Sequence, residues 1–196
     1  MDKGQLENLY VVKGMSAAEI AVYLGYSIHK IDYWLNSFGI IKRSISEAQY
    51  VKHNGLSDPF HIKSPLSNSD QRLYGLGVGI YWGEGNKRNL NAVRVGNTYA
   101  QLVKVFVEFL VKICEVKLRN IRYGLQLFSD VEESEALAHW QGALNISRNQ
   151  IMPTVSRIKS GKIGTYKTKN QFGVMTVYVF NTKLRNWLVQ QLVVPR

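Results

Sequence analysis

Acidic side chains run out well before the chain does. Glu135 is the last of them, and residues 136–196 carry nine Lys or Arg without a counter-charge. The 196 residues together have a formal charge of +11. A solvated basic face is one reading of such a stretch, but a surface for a polyanion accounts better for the missing acids. Cysteine is nearly absent too. Cys114 stands alone in the apolar run 109–114, so no disulfide forms within the chain and the thiol reads as a small buried hydrophobe. No apolar stretch approaches the roughly 20 residues of a membrane-spanning helix, so no membrane partner is expected. Residues 1–5 show no hydrophobic signal segment, which leads us to expect a cytoplasmic protein, associated with the nucleoid in a bacterium. His53 and His61 have no cysteine or further histidine at zinc-ligand spacing.

Glycine is present where it is least expected. Between residues 73 and 85, Gly75, Gly79 and Gly83 recur every four residues, which on a helix puts them along one stripe. Each costs a helix about 0.5–1 kcal/mol relative to alanine. Close approach of a second backbone is the physical reason to keep all three. Leu73, Leu76 and Ile80 form an apolar stripe expected to face the core. Glu84 sits in the last turn, where the helix dipole disfavours an anion and a bound cation would favour one. The dinucleotide-binding register G-x-G-x-x-G is excluded, because its sixth place falls on Ile80 or Trp82. A plain buried helix that tolerates its glycines is the bland alternative.

The nine residues Gly77 to Gly85, G-V-G-I-Y-W-G-E-G, resemble the signature of the LAGLIDADG homing endonucleases. Gly79, Gly83 and Gly85 match its small positions, Ile80 an apolar one and Glu84 the metal-binding acid. Gly77, Val78 and Trp82 depart from it. The Tyr-Trp-Gly-Glu-Gly version is similar to that of a small group found in bacteria and their mobile elements. The resemblance implies a signature helix packed against its twin at a two-fold axis, with Gly75, Gly79 and Gly83 as the dimer interface. It implies divalent cations, Mg2+ or another, held at Glu84 with Gly83 beside it. It also implies a catalytic basic or polar side chain near the scissile phosphate. Lys169, Lys167 and Gln126 are the candidates, and spacing does not choose among them.

Residues 4–43, within an N-terminal unit of 1–45, read as three short helices, the first over 5–13. Ser16 and Glu19 form a capping box before the second, Gly25 ends it, and Ser27 caps a third that runs to Ser37. This is the helix-turn-helix pattern, with a generic three-helix bundle as the alternative. In it the third helix offers Ser27, His29, Lys30 and Tyr33 to DNA, with Arg43 beside the backbone. Residues 46–68 are rich in turn signals and read as a linker, with one short helix over 44–52.

From residue 69 onward the pattern predicts helix, strand, helix, strand, helix, strand, strand, helix. Ser69 or Asp70 is expected to cap the signature helix, Thr98 and Gln101 to box the next, and Asp130 to cap the one through 143. This order is close to the αββαββα core that the resemblance implies, with an added helix near 131–143, so the expected fold class is α+β, a helix-turn-helix unit followed by a LAGLIDADG-like αββαββα domain over 69–196. Only residues 87–91 remain for its first strand. Lys87, Arg88, Arg94, Arg157, Lys159, Lys162, Lys167 and Lys169 are the expected DNA contacts, the last four in a long basic connection that would order on phosphates.

Phosphodiester hydrolysis needs charge stabilisation at the phosphate, which divalent ions supply. One motif gives one carboxylate and two DNA strands need two, so the chain is expected to act as a homodimer. The expected function is metal-dependent cleavage of double-stranded DNA at a specific site. The alternative is a non-cleaving transcriptional regulator of the same shape. A transposition accessory protein is a weaker third reading, supported by the N-terminal unit alone.

Overall fold

The computed structural model describes residues 1–159 and 171–192, without the side chain of Ser46. The chain divides into two compact units, Met1–Pro59 and Phe60–Arg196. No helix among the described residues is long and apolar enough to cross a membrane.

In the first unit α1 is Lys3–Glu7, α2 Ala17–Leu24, α3 Ile28–Ser37 and α4 Ile45–Asn54. The first helix, expected as one piece over 5–13, is two. Asp2 caps α1, and the chain then loosens into a π-helical stretch, Asn8–Val12. Ser16 and Glu19 cap one another's backbone at the start of α2. Gly25 ends that helix at φ +70°, a conformation glycine adopts without penalty. The Ser27 side chain accepts from Lys30 N at the start of α3. Leu6, Leu9, Ile20, Ala21, Ile31, Leu35 and Ile40 close the core at helical spacing. The short helix expected over 44–52 is α4, opened by a capping box of Ser44 and Glu47.

The second unit is mixed α+β. Its elements are α5 Asn68–Glu84, β1 Val93–Asn97, α6 Ala100–Lys112, β2 Ile121–Phe128, α7 Glu133–Leu144, β3 Ser156–Ile158, β4 Val174–Val179 and α8 Thr182–Gln191. The sheet runs β1-β4-β2-β3, with β4 antiparallel to both neighbours and β3 parallel to β2. The anticipated strand over 87–91 does not form, and that edge is reduced to a bridge between Gly85 and Val95. Phe60, Ile62 and Leu66, expected in the linker, pack instead against this unit's core.

Three caps differ from expectation. Ser67 caps α5, accepting from Asp70 N, and Asp70 returns a bond to Ser67 N. Thr98 forms no box with Gln101; Asn97 Oδ1 accepts from Tyr99 N, one position before α6. Glu132 caps α7 in place of Asp130. At α5 and α7 a neighbouring side chain with an acceptor oxygen fits the first turn better, which sequence alone does not discriminate, and α6 starts without a side-chain cap.

The two central strands, β2 and β4, alternate strictly. Val93, Val95, Ile121, Tyr123, Leu125, Leu127, Met175, Val177 and Val179 are buried under the helices with Tyr81, Phe106, Phe109 and Trp140. The residues between them are half-buried or exposed, so among the described residues one face of the sheet is left open.

Candidate nucleic-acid interface

The faces of α5 are set by what a side chain would meet. A Cβ at Gly77 would lie 2.1 Å from the Phe109 ring, so this glycine lets α6 press against α5. A Cβ at Gly85 would lie 2.3 Å from Tyr81 O and would also strike the Tyr81 ring. At Gly75, Gly79 and Gly83 it would meet nothing within 4 Å among the described residues. The glycine stripe is thus bare and outward, alongside exposed Trp82 and Leu76. Leu76 was expected in the core; Gly77 and Tyr81 take that face, and Leu73 and Ile80 pack at its margin.

The N-terminal end of α5 is pinned. Asp70 is buried, 2.8 Å from Lys63 Nζ, and accepts from the Ser67 hydroxyl at 2.7 Å. The Lys63 ammonium and the Ser67 donors hold its carboxyl down to about 2. At the other end Glu84 is exposed and has no hydrogen bond or ion pair among the described residues. Lys87 Nζ instead caps the Trp82 carbonyl. The turn that follows is held from within: Asn86 Oδ1 accepts from Arg88 N and Asn89 N, both at 3.0 Å. Arg185, one of the nine basic residues of 136–196, is buried. It donates to Asn89 O at 3.0 Å and to Lys87 O, tying α8 to this turn. Beside it the buried Tyr81 hydroxyl lacks a hydrogen bond of normal geometry among the described residues. Burial pushes that phenol up, and the guanidinium offsets part of the shift.

A carboxylate without a partner suits a divalent cation. No group of three His, Cys, Asp or Glu able to hold a metal exists among the described residues. Any ion at Glu84 would therefore take its other ligands from carbonyl oxygens such as that of Gly83, from water and phosphate, or from a second copy.

The open sheet face collects several of the anticipated contacts. Arg94, Tyr178 and Arg122 lie in one cross-strand row, and Gly96, Thr176 and Gly124 in the next. Gln126 Nε2 donates to Ser156 Oγ at 3.5 Å, one row further. No strand of this sheet carries an acid. No known family, curated protein or solved structure matches the chain. The reading of its function therefore stands on this geometry and on the motif.

Other anticipated residues lie elsewhere. Arg157 shares the side of Leu127 and pairs with Glu133 at 2.9 Å, on the side of α7. Lys159 is exposed just past β3. Lys162, Lys167 and Lys169 fall outside the described residues, as does most of the basic connection.

In the first unit Arg43 is a staple. It donates to Gly14 O, Tyr10 O and Met15 O at 2.6–2.9 Å and lies over the Tyr10 ring. Lys30 sits over the rings of Tyr26 and Trp34. Lys42 pairs with Asp32 at 2.8 Å. Ser27 is spent on its cap. His29 and Tyr33 remain exposed on α3. The sequence reading passed over Arg122, Tyr178 and Phe180. The period-2 alternation of β2 and β4 held that signal.

Proposed function

We propose that the chain is a sequence-specific DNA-binding protein of the LAGLIDADG homing-endonuclease type. It acts as a homodimer that hydrolyses DNA phosphodiesters with divalent cations, Mg2+ or a similar ion. One observation carries this: a single helix has an empty, outward glycine stripe and ends in an exposed, unpartnered carboxylate. Two copies meeting along Gly75, Gly79 and Gly83 would bring both Glu84 side chains to the axis. Two carboxylates so close would repel, which favours the cation between them and the phosphates. The cation supplies Lewis acidity and a more acidic bound water. The chain's own residues bind and orient DNA: Arg94, Arg122 and Gln126 on the open face, Lys87 and Arg88 beside Glu84. In this reading the bridge at Gly85 stands for the first strand of the αββαββα core, and α2 with α3 forms the helix-turn-helix.

The second reading is a non-cleaving regulator. It is favoured by Trp82, which stands where a second acid could assist Glu84. The test is incubation with DNA carrying the uninterrupted allele of its insertion site and Mg2+. Wild type should cut it and Glu84→Gln should bind without cutting. Binding without cutting by wild type leaves the regulator, and equal cutting by both removes Glu84 from the reaction.

A further inference from the structure

Three planes stack in sequence on the open sheet face, the Arg94 guanidinium over Tyr178 and Tyr178 against Phe180. The Arg94 guanidinium carbon is 5.2 Å from the Tyr178 ring centroid. Tyr178 and Phe180 stack at 5.8 Å with 18° between their planes. Phe180 is 57% exposed, a large apolar surface left wet at the end of β4. Gly124 is what lets the Tyr178 ring lie over β2, since a Cβ there would come within 2.8 Å of the ring. On the far side of Tyr178 the row ends in Arg122, which is exposed and cationic. Arg94 Nε is buried without a hydrogen-bond partner among the described residues.

We propose that Arg94, Tyr178 and Phe180 form a stacking platform for unpaired bases of single-stranded DNA, a reading that rests on the DNA-binding function above. A paired duplex offers phosphates and base edges, and its base faces are already stacked on one another. Flat rings beside guanidinium groups match the face of an unstacked base and the phosphate that follows it. The absence of any acid from the strands leaves this surface complementary to a polyanion. A strand opened next to the Glu84 end of α5, or a single-stranded tail, would find its bases a place to stack here.

The full chain is titrated with a short oligo-dT, an oligo-U of equal length and a mixed-sequence duplex. Wild type should bind oligo-dT, and Phe180→Leu should weaken that binding about five- to a hundredfold, the range for losing one base–aromatic stack. Duplex binding and the thermal midpoint should hardly change in this variant, because the ring is more than half exposed. Phe180→Tyr, which keeps a ring, should bind oligo-dT like wild type. Duplex binding without oligo-dT binding overturns the platform alone, as does equal oligo-dT binding by Phe180→Leu. Tighter binding of oligo-U overturns the assignment to DNA. Loss of self-association in Phe180→Leu, with oligo-dT binding intact, would assign the ring to a second copy of the chain. Failure to bind either DNA overturns the platform and the DNA-binding reading together.

Discussion

Asp70 shows how one side chain can serve two structures at once. It closes the capping box of α5 and receives the Lys63 ammonium, which belongs to the segment leading into that helix. Its folded carboxyl is held down to about 2, below the ordinary value of 3.8. A depressed acid contributes stability that is fully present above its unfolded pKa and is lost as pH falls through its folded pKa. Unfolding followed by tryptophan fluorescence should therefore show stability falling between about pH 4 and pH 2. Asp70→Asn should be less stable at pH 7 and flatter across that window. Arg43 teaches the opposite lesson about function. Its sequence position just after the third short helix suggests phosphate contact, yet three carbonyls of its own unit already hold it.

At the scale of the element, α5 separates two uses of glycine. Gly77→Ala should destabilise the fold by about 1–3 kcal/mol, because its methyl must displace the Phe109 ring in a packed core. Gly79→Ala meets nothing and should stabilise the isolated chain by about 0.5–1 kcal/mol through helix propensity. Urea unfolding of the monomeric chain distinguishes the two. If the stripe is a dimer seam, Gly79→Leu should also abolish self-association in sedimentation. The helix itself was legible in the sequence, and so was the element order from α5 through α8, because helical spacing and the alternation of β2 and β4 survive in the sequence. Which glycine faced inward was not legible. The four-residue stripe drew attention to Gly75, Gly79 and Gly83, while Gly77 faces Phe109, a residue 32 positions away. Leu76 was misplaced for the same reason: periodicity gives the angle between residues, and the partner decides which angle is in. The strand over 87–91 failed because Asn86 and Asn89 fold their own neighbours into turns and Arg185 fixes the result. The open face was legible only as alternation. Its rows depend on register, which pairs Arg94 and Arg122 with the same Tyr178 across two different strands.

At the scale of the whole molecule, charge is divided unequally. Met1–Pro59 holds six basic and six acidic residues, so the entire excess of +11 belongs to Phe60–Arg196. Salt-sensitive affinity for DNA should come from the second unit, and the exposed His29 and Tyr33 of the first should contribute discrimination. Raising salt from 50 to 200 mM should weaken duplex binding on the order of 10³-fold. Arg88→Ala should lower the slope of that dependence by about one, and Tyr33→Ala should alter sequence preference at constant slope, both read from titrations by fluorescence anisotropy. The solitary thiol offers a different kind of gauge. Cys114 is fully enclosed in the core, and desolvation raises its pKa far above the ordinary range. An alkylating reagent can reach it only when the surrounding layers part. Its labelling rate, taken without any engineered probe, is a clock that counts how often this core breathes.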